Sequence, residues 1–143
     1  MSFHTIGFIG LGLIGGSIAK KMKSNQPDIK IYATAHHKET IQEAYRDGLI
    51  ENNTLLPLSA FHNCDYIFLC APVQKNLEYL RELKEIIRED CMITDVGSTK
   101  TEIHEEVIRL HMEANFIGGH PMAGSEKTGI LSAVPTLLEN AYY

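Results

Sequence analysis

The sequence is poor in features that mark several protein classes. Its three cysteines include no CxxC pair and have no spacing typical of metal ligands, so we expect reduced thiols and no metal site. No apolar run approaches the roughly 20 residues that a membrane-spanning helix needs, and no basic leader of a signal peptide is visible. Lysine and arginine are scattered and the net charge is −5, which disfavours nucleic acid and anionic membranes as partners. We therefore expect a cytoplasmic protein that binds a small molecule.

Apolar runs alternate with segments of helical periodicity along the whole chain. With 44% hydrophobic residues, 143 residues can form one domain with a substantial core. Such alternation predicts parallel strands joined by right-handed crossovers. The expected fold is α/β, a Rossmann-type, doubly wound, mainly parallel sheet with helices on both faces. The predicted strands are 4–9, 29–35, 65–70, 91–95 and 116–118, and the predicted helices are 17–25, 38–47, 75–88, 99–112 and 130–140.

A glycine-rich segment follows the first predicted strand and opens the first helix. It has the spacing GxGxxG, with Gly10 for a tight turn, Gly12 for close approach of a pyrophosphate and Gly15 for helix–strand packing. The first amides of the helix would face the phosphates. A glycine-rich turn without a ligand is the simpler alternative, but the context favours a dinucleotide. The predicted cofactor-binding residues here are Gly10, Leu11, Gly12, Leu13, Ile14 and Gly15.

The end of the second strand lacks the acidic residue that usually binds the ribose of NAD. Such a carboxylate is expected about 20 residues beyond the glycines, where this chain has Ala35, and Glu39 lies further along, in the next predicted helix. His36, together with His37 and Lys38, could instead accommodate the 2′-phosphate of NADP. These three side chains could equally be solvent-facing loop residues. The cofactor is therefore NAD or NADP, with the preference open.

Three further loops follow the carboxyl ends of predicted strands, where α/β proteins bind ligands. In the first loop, Ala71, Pro72 and Val73 offer a small apolar surface to the cofactor. In the others, His120 is a candidate general base because imidazole titrates near neutrality, and Ser98 could hydrogen-bond the imidazole and a substrate hydroxyl. A structural histidine and a helix-capping serine are the alternatives. Thr99 and Glu102 also have the spacing of a capping box.

Three segments resemble the prephenate dehydrogenases and the related arogenate dehydrogenases: 8–17, 95–100 and, most specifically, GGHPMAGSEK at 118–127. The resemblance implies oxidative decarboxylation of prephenate to 4-hydroxyphenylpyruvate, a step toward tyrosine, with NAD or NADP. It implies that His120 accepts the proton of the ring hydroxyl and that Ser98 orients that hydroxyl. It also implies that the substrate end is lined or gated by Gly124, Ser125 and Glu126.

The chain departs from that family in two respects. The acid that members usually carry near Ala35 is absent, which puts the cofactor preference in doubt. Members also continue into a mostly helical second domain, which forms the dimer and supplies cationic groups for the substrate carboxylates. We expect residues 1–143 to be the NAD(P)-binding domain alone, weakly active or inactive in isolation and dimeric only with the missing domain.

Three alternatives remain open at this point. Arogenate could replace prephenate as the substrate. The chain could belong to a β-hydroxyacid or 6-phosphogluconate type of dehydrogenase, although those enzymes are expected to use a catalytic lysine on a later helix and a different loop in place of HPMAGSE. It could also be a non-catalytic module that senses dinucleotides.

Overall fold

The structure, a computed structural model, describes residues 4–97 and 99–119. Five parallel strands form one sheet in the order β2-β1-β3-β4-β5. The strands are β1 Thr5–Ile9, β2 Lys30–Thr34, β3 Tyr66–Leu69, β4 Met92–Asp95 and β5 Phe116–Ile117. The helices are α1 Leu13–Asn25, α2 Lys38–Arg46, α3 Val73–Leu83 and α4 Thr101–Arg109, with short 3-10 turns at Leu58–Phe61 and Glu113–Asn115. The predicted α/β fold is confirmed.

Side chains on alternate positions of the strands enter two separate cores. In β3, Ile67 and Leu69 pack with the apolar sides of α3 and α4, whereas Phe68 packs with residues of α1 and α2. Phe68 stacks on Phe8 of β1, with ring centroids 4.8 Å apart. Because side chains alternate between the two faces of a strand, the sheet carries helices on both faces. This arrangement brings the carboxyl ends of all five strands to one edge.

Three predicted helices have clearly different bounds in the structure. Helix α1 begins at Leu13, four residues before the predicted start at 17. Helix α3 begins at Val73 and ends at Leu83, not 75–88, because the chain beyond Leu83 continues in tighter turns such as that from Ile86 N–H to Leu83 C=O. Helix α4 ends at Arg109, before His111 adopts a positive φ of 57°. The helix predicted at 130–140 lies outside the described residues.

The predicted capping box at the start of α4 is wrong. The residue that precedes the helix is Lys100, and no side chain in the described part of the chain caps the helix. Lys100 instead directs its ammonium group to Asp95 and to the carbonyl of Gly97. Glu102 accepts a hydrogen bond from the side chain of Gln74, in α3, at 2.7 Å.

The free edge of β2 is covered by a side chain that the sequence did not single out. Asn52 is buried, accepts a hydrogen bond from the Ala33 amide at 3.0 Å and donates one to the Ala33 carbonyl at 2.8 Å. These bonds replace the pairing that a neighbouring strand would give to this edge. The end of β2, next to Thr34, is thereby held in place.

A buried carboxylate joins α3 to α4. Glu106 accepts hydrogen bonds from Arg109 of its own helix and from Arg81 of α3, the latter at 2.8 Å. The hydrogen bonds from Arg109 and Arg81 lower the pKa of Glu106 to about 2. Since the folded pKa lies below the unfolded value of about 4.3, the ionised carboxylate stabilises the fold above that value. The contribution is lost as the pH falls toward 2.

We therefore expect Glu106→Gln to lower the free energy of unfolding by about 1–2 kcal/mol at neutral pH. The difference from wild type should shrink below about pH 4, where Glu106 takes up a proton in the unfolded chain while it is still ionised in the folded protein. Urea titrations at several pH values from neutral to about 3 would measure the difference in free energy of unfolding. Glu105→Gln changes an exposed neighbour on α4 and should leave stability nearly unchanged at every pH. An undiminished difference for Glu106→Gln at pH 3 would contradict the prediction.

Candidate functional site

The glycine turn between β1 and α1 lies at the centre of the strand ends. Gly10 has a φ of +92°, and a Cβ there would lie 2.7 Å from the Ala71 amide nitrogen, so the turn requires glycine at this position. The amides of Gly10 and Leu11 both donate to the Thr34 carbonyl at 3.0 Å. The tight turn predicted for Gly10 is confirmed, and it is fixed to the end of β2.

The other two glycines of the motif differ in what surrounds them. A Cβ at Gly15 would lie 3.1 Å from Sγ of Cys70 and 3.5 Å from Cδ1 of Phe8, which confirms its role in close helix–strand packing. A Cβ at Gly12 would meet only the carbonyl oxygen of Gly10, at 3.9 Å. Packing within the described chain therefore gives no reason for a glycine at position 12. The space beside it is available to a ligand.

The first turn of α1 is suited to an anion. Gly12 is the residue before the helix and has no side chain to cap it, and the first turn contains no acidic residue. The first hydrogen bond of the helix runs from the Gly16 amide to the Gly12 carbonyl, at 2.8 Å. The amides that precede Gly16 in the helix have no partner within the helix. Together with the open space at Gly12, they fit the pyrophosphate of a dinucleotide.

A cleft of about 430 Å³ opens beside this turn. It contains five of the residues that the sequence predicted for cofactor binding, namely Gly10, Leu11, His36, Ala71 and Pro72. Leu13, Ile14 and Gly15 lie in the first turn of α1, and Val73 begins α3. A Cβ at Gly97 would lie 3.2 Å from Cγ2 of Val73, so this valine lies beside the loop that follows β4.

The cleft also contains residues that the sequence did not single out. Lys75, which is exposed, and Tyr79, which is half-buried, come from α3, and Cys70 follows the end of β3. Burial raises the pKa of the Cys70 thiol well above its usual range, so this group is a neutral thiol at any ordinary pH. Spacing along α3, i and i+4, could have indicated that Lys75 and Tyr79 share a helix face, but not that this face meets the cleft.

The end of β2 carries no acid toward the cleft. Ala35 is half-buried, and His36 and His37 are exposed with their rings 4.5 Å apart. Glu39 is in the first turn of α2 and does not line the cleft. Among the described residues that line the cleft, none has a carboxylate.

Asp95, at the end of β4, joins two loops. Its carboxylate is buried and accepts hydrogen bonds from the Gly97 amide at 3.1 Å and the Gly119 amide at 3.3 Å. The Lys100 ammonium lies 2.5 Å from the same carboxylate and 2.7 Å from the Gly97 carbonyl. Asp95 was not predicted to have a role, because its contacts depend on a loop distant in sequence.

The predicted catalytic and substrate-binding residues Ser98, His120, Gly124, Ser125 and Glu126 lie outside the described residues. Their described neighbours are informative for the first two. Gly97 and Thr99 flank Ser98, and Gly119 precedes His120. Asp95 bonds both Gly97 and Gly119, and so joins the residue before Ser98 in the sequence to the residue before His120.

The described ranges contain neither a metal-binding cluster nor a membrane-spanning helix. Within residues 4–97 and 99–119, no group of three or more His, Cys, Asp or Glu side chains could hold a metal ion. No helix in these ranges is both long and apolar enough to cross a membrane. All three cysteines are free thiols, and burial raises the pKa of Cys64 and of Cys91 to about 12.

Comparison with known proteins finds a family that covers most of the chain. Residues 18–143 match the family described as prephenate dehydrogenase, nucleotide-binding domain. The glycine turn itself precedes that range. A prephenate dehydrogenase of Lactococcus lactis is 41% identical over 138 residues, which are 94% of this chain and 38% of the relative. The chain thus spans about two fifths of the length of the curated relatives it matches.

Solved structures of the same family superpose closely. The prephenate dehydrogenase of Aquifex aeolicus, in complex with hydroxyphenyl propionate and NAD+, gives a TM-score of 0.88 at 30% identity over 99% of this chain and 49% of that one. The arogenate dehydrogenase of Synechocystis gives a TM-score of 0.84 at 34% identity, over 96% of this chain and 48% of that one.

Proposed function

The chain belongs to the family of prephenate dehydrogenase nucleotide-binding domains, and from this premise we propose that it binds NAD or NADP in the cleft beside the glycine turn, as part of a protein that decarboxylates prephenate oxidatively. The observation that carries the cofactor proposal is the open space at Gly12, next to uncapped amides of α1. Gly10–Gly15 hold the pyrophosphate. His36, Ala71, Pro72 and Val73 lie along the rest of the dinucleotide.

The reaction needs a hydride acceptor and a proton acceptor at one carbon. The nicotinamide, when bound, supplies the hydride acceptor. His120 accepts the proton of the ring hydroxyl as the carbon–hydrogen bond breaks, and Ser98 orients that hydroxyl. Loss of carbon dioxide makes the ring aromatic, so it requires little further assistance. The bonds from Asp95 to Gly97 and Gly119 support this assignment, because they join the residues that precede Ser98 and His120 in the sequence.

The substrate end of the site extends beyond the described residues. We assign Gly124, Ser125 and Glu126 to it, because they belong to the HPMAGSE segment by which the chain resembles the family. The curated relatives are more than twice as long as this chain. We place the groups that bind the substrate carboxylates, and the surface that forms a homodimer, in a further domain.

Arogenate is the second candidate substrate, favoured by the likeness to the Synechocystis arogenate dehydrogenase. The proposal is tested by steady-state assays of the longer protein that contains this chain, with prephenate and arogenate, each with NAD and with NADP. Prephenate is expected to give the higher kcat/KM. A higher kcat/KM with arogenate would mean that arogenate, and not prephenate, is the substrate. Binding of a dinucleotide without turnover of either compound would favour a sensing module.

The missing carboxylate at the end of β2 predicts a relaxed or reversed preference for NAD. Ala35→Asp should shift the affinity ratio toward NAD by about tenfold, since a carboxylate accepts a hydrogen bond from the ribose 2′-hydroxyl and repels a 2′-phosphate. Calorimetric titration with both cofactors measures the ratio. Ala35→Asn offers an acceptor without charge and should shift it less. An unmoved ratio in Ala35→Asp would mean that Ala35 does not face the ribose.

A further inference from the structure

The cleft beside the glycine turn, which includes the end of β2, is lined by basic groups and by no acid among the described residues. His36 comes from the loop after β2, and Lys75 comes from the first turn of α3. They line the same cleft as Ala35, where other dinucleotide-binding domains place the ribose-binding carboxylate. Any anion that enters the cleft therefore meets cationic and neutral side chains among the described residues.

The position of the adenosine ribose follows from contacts that fix the end of β2. The Thr34 carbonyl accepts the amides of Gly10 and Leu11, so Ala35 lies directly beside the glycine turn. A dinucleotide whose pyrophosphate contacts the start of α1 extends its adenosine ribose toward the end of β2. The 2′ position then faces the cleft, which Ala35, His36 and Lys75 all line.

We propose that Lys75 determines cofactor specificity by binding the 2′-phosphate of NADP, with His36 on the adjacent loop, and that the protein prefers NADP to NAD. This inference rests on the proposed dinucleotide site. A lysine in this position is a cation on a flexible stem, which suits a phosphate group better than a neutral hydroxyl. The absence of a carboxylate at Ala35 removes the group that would repel that phosphate.

The ion pair between Lys75 and Glu78 does not oppose this role. Nζ of Lys75 and Oε2 of Glu78 are 3.4 Å apart, and both side chains are more than half exposed. Exposed pairs of this kind contribute little, so a phosphate dianion can displace the carboxylate. Glu78 itself does not line the cleft.

Calorimetric titration with NAD and NADP tests the proposal in wild type and in two variants. Wild type should bind NADP about tenfold more tightly than NAD, and Lys75→Gln should weaken NADP binding about tenfold while changing NAD binding less than about twofold. Lys84→Gln, an exposed lysine just beyond α3 and outside the cleft, should change neither. Added salt should weaken NADP binding more than NAD binding in wild type, and this excess should diminish in Lys75→Gln.

The outcomes separate this inference from the proposed function. If neither cofactor binds wild type, the dinucleotide site and the role of Lys75 both fail. If both bind but NAD is preferred, or Lys75→Gln weakens both equally, the site stands and the inference is overturned. Melting temperatures of the variants check folding, which this exposed side chain should not affect. Lys75→Glu provides a second test, because a reversed charge should weaken NADP binding more than Lys75→Gln does.

Discussion

Gly12→Val is expected to weaken binding of both NAD and NADP by about 100-fold or more while the protein keeps a melting temperature close to that of wild type. A Cβ at position 12 has 3.9 Å to its nearest protein atom, so the protein leaves space for a β-carbon there. A pyrophosphate bound at the first turn of α1 would overlap the valine side chain. Steric overlap of this kind costs about 1–3 kcal/mol, and lost charge-assisted bonds to the helix amides add to it.

Two controls separate this effect from general damage to the turn. Gly12→Ala should give an intermediate loss of affinity, because a methyl group occupies less of the ligand's space. Gly10→Ala should instead lower the melting temperature, since its Cβ would lie 2.7 Å from the Ala71 amide nitrogen at a φ of +92°. Binding by folded Gly12→Val equal to that of wild type would show that the pyrophosphate lies elsewhere.

His120→Asn is expected to lower kcat of the longer protein by about 10²–10⁴-fold, the usual contribution of a general base. This corresponds to roughly 3–5 kcal/mol of activation barrier. Cofactor affinity should remain nearly unchanged, because the glycine turn holds the pyrophosphate. Stopped-flow and steady-state measurements of kcat, with parallel calorimetry, would separate the two quantities.

The pH profile of the same variant gives an independent test. The wild-type rate should rise with pH through a group that titrates near neutrality, as a neutral imidazole becomes available to accept the proton. That limb should be absent in His120→Asn. Ser98→Ala should keep the limb and lose less activity, since it removes an orienting hydrogen bond and leaves the base. Full kcat and an unchanged limb in His120→Asn would make this histidine structural.

Local patterns were sufficient to predict most of the fold. The buried run at 65–70 predicted β3 because a strand covered on both faces is apolar throughout. The helix predicted at 38–47 ends at Arg46, and Gly48 follows it with a φ of +74°, as is common for a glycine just after a helix. The GxGxxG spacing predicted the turn that Gly10 makes, because few other residues adopt its backbone conformation.

Features that depend on distant contacts could not be predicted in this way. The start of α4 was misplaced because Lys100 is drawn to Asp95 and the Gly97 carbonyl, a loop contact that a capping pattern does not reveal. Asn52 covers the edge of β2 from 19 residues away. Lys75 and Tyr79 reach the cleft only because α3 packs beside the glycine turn. Tertiary packing decided each of these positions.

The stoichiometry of the reaction tests the central claim most directly. The longer protein, incubated with prephenate and the preferred dinucleotide, should form reduced nicotinamide and carbon dioxide in equal amounts, with 4-hydroxyphenylpyruvate as the product. Reduced nicotinamide and labelled carbon dioxide can be measured in the same reaction. Formation of reduced nicotinamide without carbon dioxide, or of neither in a protein that still binds the dinucleotide, would contradict the account.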